Sequence, residues 1–242
     1  MSSWHEVLAR LPHHQIEVVS CSRLFETVPV GGPVGQSTFL NAALTVRTRL
    51  SAPDLVVELL AVEREIGRVR ETRWGPRLVD LDLMLFESQV HDLLPCLVPH
   101  PRMTFRRFML EPACEVASDW IHPITQCSLA SLLEQLPRIN GKARLLVGAN
   151  HRPAPDFESP TDQNRLNAAL DGLMAAIQEM GWEVSRGPIG SPATETRSAF
   201  NIFVTAERHP APGSVHGPYL VLPVDETEQW TSDVVAAFQS LR

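Results

Sequence analysis

Hydrophobic and polar positions recur with two different periods along this chain, and the switches between the periods mark out its elements. Residues 4–11 put Trp4, Val7, Leu8 and Leu11 on one helical face, and Pro12 with the two histidines after it closes that helix. Residues 16–24 and 39–49 alternate with period two and read as strands. The Gly- and Pro-rich stretch 25–38 between them reads as a loop. Ser51 has the chemistry of an N-cap, with Pro53 in the first turn and Asp54 at the third helical position. The helix that follows carries Leu55, Leu59, Val62 and Ile66 on one side, and Gly67 is its stop signal. Beyond an Arg-rich stretch, Leu78–Phe86 alternates as a strand, and residues 105–117 and 126–136 read as helices.

The pattern shifts near Pro137–Gly141. A strand is expected over 143–147, a helix over 162–180 and short strands over 182–186 and 200–206. A Pro-rich stretch and a last helix over 226–241 complete the chain. A boundary near 140 divides it into residues 1–140 and an accessory region, 141–242, with an α/β succession of elements.

Composition narrows the function. With 242 residues, 44% of them hydrophobic, each part can bury a core. Lys and Arg number 21 against 28 Asp and Glu, a formal charge of −7, which speaks against a general nucleic-acid coat or a polybasic membrane binder. The chain contains no apolar run of about 18 residues, the length a membrane span requires. The N-terminal stretch has charges and His where a signal peptide would have an apolar core. Cys21, Cys96, Cys114 and Cys127 lie far apart with no C-x-x-C, the pattern of reduced, mostly buried thiols in a cytoplasmic protein.

The candidate chemistry is concentrated in Gly67–Phe86, GRVRETRWGPRLVDLDLMLF. On a strand, Asp80 and Asp82 share one face while Val79, Leu81, Leu83 and Leu85 take the other. Two carboxylates side by side repel unless a cation or water separates them, and few carboxylates plus phosphate and water suit Mg²⁺. Taken alone, the pair also reads as a solvated strand face. Arg68, Arg70, Arg73 and Arg77 crowd the preceding stretch, and each offers a planar fork of donors matched to phosphate oxygens. Gly75-Pro76 sets a tight turn that could aim Arg77 over the aspartates. Carboxylates for a metal and arginines for phosphate are the components of phosphoryl transfer. Weaker signals are His100 with Arg106, which could bracket a polyphosphate, and Phe39 with Asn41, which offer a stacking face and a heterocycle-matching amide.

In their order these motifs resemble the 6-hydroxymethyl-7,8-dihydropterin pyrophosphokinase family of folate biosynthesis. The likeness runs from about Val18 to Leu136. It comprises S-R-L-F-E-T-x-P-V-G, F-L-N-A, E-x-x-x-G-R-x-R, R-W-G-P-R-x-x-D-L-D-x-M-L-F, V-P-H-P-R-M and R-x-F-M-L-x-P. It implies an α+β, ferredoxin-like pyrophosphokinase domain that moves the terminal diphosphate of ATP to the pterin hydroxymethyl group. It implies that Asp80 and Asp82 hold two Mg²⁺ ions and that Arg68 and Arg77 engage the phosphates and assist transfer. Arg70 and Trp74 would lie in a loop that closes over the substrates. Glu63, His100 and Arg106 would belong to the nucleotide site. Thr27, Val30, Phe39, Asn41 and Phe108 would form the pterin pocket, with Phe39 and Phe108 facing the ring from two sides.

The chain departs from the family at its start. Members open with a strand and a G-S-N type loop, whereas Met1 falls inside the helix that follows them, so that central strand is expected to be missing. An upstream extension, an inactive relative or a substitute segment would each explain this. Residues 143–150, ARLLVGAN, followed by a helix, have the form of the missing opening. On this reading the accessory region is a decayed partial second copy whose strand fills the vacancy in the first sheet. Two further functional classes compete: a nucleotide-binding remnant of the family without turnover, and a D-x-D glycosyltransferase. The second would require a larger α/β domain ahead of the motif.

Overall fold

The computed structural model describes residues 2–28, 38–67, 78–136, 142–147, 160–188, 200–205, 215, 217–223 and 228–241. The chain opens with α1 (Ser2–Arg10), prolonged by a 3-10 turn over Leu11–His14. Next come β1 (Glu17–Cys21), β2 (Phe25–Thr27), β3 (Phe39–Asn41), β4 (Leu44–Arg47) and α2 (Ala52–Glu65). A small hairpin follows, β5 (His91–Leu93) with β6 (Cys96–Val98), and then α3 (Arg107–Ala117) and α4 (Leu129–Gln135). The rest comprises β7 (Lys142–Val147), α5 (Pro160–Glu179), β8 (Glu183–Pro188), β9 (Phe200–Thr205), β10 (Tyr219–Pro223) and α6 (Trp230–Ser240). This is an α+β chain. No described helix is long and apolar enough to cross a membrane.

The first half is built from antiparallel pairs. β1 pairs with β4 and β2 with β3, each as a two-stranded sheet. The single strand expected over 39–49 is thus two strands serving different partners, and part of the stretch expected to be loop, Phe25–Thr27, is a strand. Val7, Leu11, Ile16, Leu55 and Val62 form the core of this half, with Val18, Leu44 and Val46 packed on it. The cap of α2 is as its sequence predicts. The Ser51 hydroxyl accepts from Asp54 N at 3.3 Å, and Gly67 leaves the helix at φ 98°, a left-handed conformation that glycine tolerates.

Two expectations are corrected. Leu78–Phe86 forms no strand ladder among the described residues, although its alternation survives. Leu78, Asp80 and Asp82 are exposed, while Val79, Leu81 and Leu83 pack on the core beside α2. Burial produces the period-two pattern, but a ladder also needs a neighbouring backbone, and among the described residues β1 and β4 pair only with each other. The substitute-strand reading fails for a related reason. β7 is flanked in parallel by β8 on one side and by β9 on the other, so neither side is left for the first sheet. The C-terminal sheet has the order β10-β9-β7-β8 and is parallel throughout. That topology needs helical crossovers such as α5 and is not a second copy of the antiparallel half.

The parallel sheet nonetheless shares a core with the 3-10 turn at Met103–Phe105, α3 and α4. Leu145, Phe200, Ile202 and Leu220 belong to the same cluster as Met103, Phe105, Leu110 and Leu132. The Phe105 ring meets Phe200 edge-on at 5.3 Å, and Phe238 completes that aromatic group. The Thr104 hydroxyl accepts from Tyr219 N and donates to Tyr219 O, both at 3.1 Å. The opposite face of the parallel sheet packs Leu146, Tyr219 and Val221 against Ile124. All four thiols are free. Cys96 is buried and Cys114 and Cys127 are half-buried, but Cys21 is exposed, against the expectation that it be covered.

Candidate functional site

The aspartate pair is fixed from behind. Glu63 lies in the last turn of α2 and is only 1% exposed, and its Oε1 accepts from Leu81 N at 2.7 Å. A buried carboxylate bonded to an amide is a strong, charge-assisted contact. Leu81 stands between Asp80 and Asp82, so this bond anchors the backbone at the point from which both exposed carboxylates project. The side chain therefore does what a neighbouring strand would have done.

A second segment faces the first. His100 N donates to Met84 O at 2.8 Å, which brings the start of the His100–Phe108 segment against the end of the aspartate segment. His100 Nδ1 accepts from Arg102 N at 3.1 Å, which leaves Nε2 to carry the proton in the neutral ring. That Nε2 stands 3.8 Å from Asp82 Oδ2, an ion-pair separation when the ring is charged and too long for a hydrogen bond. Arg106 lies over the Phe108 ring, 5.4 Å from its centre. Its Nε is buried and has no hydrogen-bond partner among the described residues. Burial and the like charge of Arg102 pull its pKa down to about 10, against the opposing influence of Asp82, Asp233 and Asp80. The group stays a cation at neutral pH, poorly solvated, with its guanidinium over the Phe108 ring.

Of the candidate pterin residues, Thr27, Phe39 and Asn41 lie on β2 and β3, while Phe108 lies in the first turn of α3. Asn41 Nδ2 donates to Thr27 Oγ1 at 2.7 Å across the ladder. Phe39 is 41% exposed at the other end of β3. α3, which begins beside Phe108, packs on both strands, and Arg23 on the β1–β2 connection pairs with Glu115 of α3 at 2.7 Å. Arg107 points outward and pairs with Glu111. Val30, Arg68, Arg70, Trp74 and Arg77 lie outside the described residues. A groove of about 750 Å³ beside β1, lined by Leu8, Ile16, Val18 and Arg47 among others, contains none of the candidate residues.

Among the described residues no group of three or more His, Cys, Asp or Glu is placed to hold a metal ion. The donor set is two exposed carboxylates with a histidine near one of them. That suits a hard cation taking most of its ligands from phosphate and water, as Mg²⁺ does. Two residues carry weight that the sequence did not reveal. Arg102 lies inside the V-P-H-P-R-M motif, whose pattern gives no role for it. Asp233 lies on α6, 131 positions further along the chain.

The α+β chain thus carries an exposed carboxylate pair beside a histidine, a buried arginine, and an amide with an aromatic ring on β3. The comparisons identify its family. Residues 1–118 match the family model described as 7,8-dihydro-6-hydroxymethylpterin-pyrophosphokinase. A 2-amino-4-hydroxy-6-hydroxymethyldihydropteridine pyrophosphokinase of Pseudomonas aeruginosa is 41% identical over 114 residues, 47% of this chain and 68% of the relative. Proteins of the same name are 38% identical over 121 residues in Synechocystis and 41% identical over 104 in Bacillus subtilis. The matches span 50% of this chain and 61% of the Synechocystis protein, and 43% and 62% for the Bacillus protein. The chain belongs to the 7,8-dihydro-6-hydroxymethylpterin-pyrophosphokinase family.

Proposed function

We propose that this protein transfers the terminal diphosphate of ATP to the hydroxymethyl group of 6-hydroxymethyl-7,8-dihydropterin, releasing AMP, as a step of folate synthesis in the cytoplasm. Family membership supports this reading. The single structural observation that carries it is the Glu63–Leu81 bond, which holds Asp80 and Asp82 outward with Asp82 beside His100. We further read the first half as a ferredoxin-like arrangement.

Asp80 and Asp82 would hold Mg²⁺, two ions by family likeness. Bound there, the metal neutralises triphosphate charge and polarises the phosphoryl oxygens. Arg106 meets the triphosphate as a poorly hydrated cation, and its attraction is strengthened by the low local dielectric. His100, held by Met84 O and Arg102 N, sits at the Asp82 end of the site. The Asn41 amide, oriented by Thr27, reads the pterin edge, and Phe39 and Phe108 cover its faces. By family likeness Val30 completes that pocket, Arg68 and Arg77 follow the phosphates, and Arg70 and Trp74 belong to a closing loop. The acceptor oxygen forms its bond to the β-phosphorus as the bridge to AMP breaks, and the hydroxyl proton passes to water. No protein nucleophile is required, since the task is alignment and charge stabilisation. The test is AMP release from ATP and Mg²⁺ with and without the pterin. Pterin-dependent AMP is expected, while nucleotide binding with no AMP overturns the reading in favour of a remnant.

A further inference from the structure

The segment that carries His100 and Arg106 is gripped by the C-terminal α/β unit at three successive points. Arg102 Nη2 donates to Asp233 Oδ1 at 2.8 Å, Thr104 is bonded to Tyr219, and Phe105 packs on Phe200. Asp233 occupies the first turn of α6 and is 8% exposed. A helix N-terminus favours a carboxylate, which offsets part of the cost of burying one there. Arg102 in turn lies close enough to Arg106 to disfavour its charge. Arg102 and Arg106 flank the two ends of the 3-10 turn Met103–Phe105, so the grip on Arg102 is a grip on the turn that carries Arg106. Asp80 and Asp82 belong to the proposed metal segment, whereas Asp233 comes from outside the family-matched residues.

We propose that Asp233 is a positioning residue of the nucleotide site: by holding Arg102 it keeps Arg102 and Arg106 side by side, so that the triphosphate meets a preformed pair of cations. This rests on the nucleotide-site reading above. A fixed pair loses less rotamer freedom on binding than two mobile side chains, which is where affinity is gained. The alternative role, simple counter-charge, has the opposite sign. Removing a carboxylate near a phosphate site makes the site more positive, so charge alone would tighten nucleotide binding, whereas loss of positioning weakens it.

The experiment uses the full chain and titrates the Mg²⁺ complex of α,β-methylene-ATP calorimetrically into the unmodified protein, Asp233→Asn, Arg102→Gln and the double variant. Asp233→Asn and Arg102→Gln are each expected to weaken binding about tenfold, and the double variant no further than the weaker single, because contacting partners are not additive. KM for the pterin should stay within about twofold, since β2 and β3 are not touched, and Asp233→Glu should recover part of the loss. Binding by Asp233→Asn as tight as that of the unmodified protein, or tighter, overturns the proposal. So does additive loss in the double variant, or a parallel loss of pterin and nucleotide affinity with a lowered Tm. Should Asp233→Asn fail to fold, Asp233→Glu and Arg102→Gln decide the matter by the same readouts. Failure of the reaction itself is separate: it would appear as no AMP from the unmodified protein, whose analogue titrations still report on Asp233.

Discussion

The two halves of the molecule are built on opposite plans. Residues 2–98 contain short antiparallel pairs of three to five residues, and the aspartate segment has no ladder at all among the described residues. Residues 142–241 contain a four-stranded parallel sheet with β7 central and a continuous apolar interior. The difference shows how a small site can be held open. Where ligands are to be met, backbone and side chains are left facing outward and are secured by single contacts such as Glu63–Leu81. The parallel half, by sharing its core through Phe105 and Phe200, supplies rigidity to the segment between them.

That contrast can be tested by separating turnover from stability. The largest effect is expected for Asp82→Ala, which should lower turnover about a thousandfold or more, since loss of the proposed metal anchor would remove several kcal/mol of charge stabilisation. Its Tm should hardly move, because Asp82 is exposed, and a Tm collapse would place the stability of the fold in the wrong half. Phe105→Ala should destabilise the protein by about 3–5 kcal/mol, as for other large buried aromatics. Calorimetry should still show one transition, because the core is shared; two separated transitions would break the comparison. The smallest effect is expected for Asn41→Ala. It should weaken pterin binding about tenfold, the range of one or two lost hydrogen bonds, with ATP binding unchanged. Equal loss of both affinities would mean that β2–β3 is structural and not a separate pocket.

Local chemistry made much of this legible. Ser51, Asp54 and Gly67 bounded α2 because caps act within a few residues, and α5, β7, β8 and β9 lie where their periods put them. The outward placement of Asp80 and Asp82 followed from alternation. Periodicity records which side is buried and says nothing of pairing, and so it named a strand where there is a tethered segment. The three-residue strands β2, β5 and β6 are too short to show a period, and β10 lies in a stretch that the prolines disguised. The parallel topology was hidden because strand direction depends on crossovers. Arg102–Asp233 was beyond reach, since no local rule links residues so distant in the chain.

One contact across the halves has a colloidal consequence. β10 is the outermost strand of its sheet, and such a strand presents a row of donors and acceptors that can template pairing with another molecule. The first step of that row, at Tyr219, is already taken by the Thr104 hydroxyl. The bond that joins the halves thus also occupies the first position of that edge, where another strand would otherwise begin to pair.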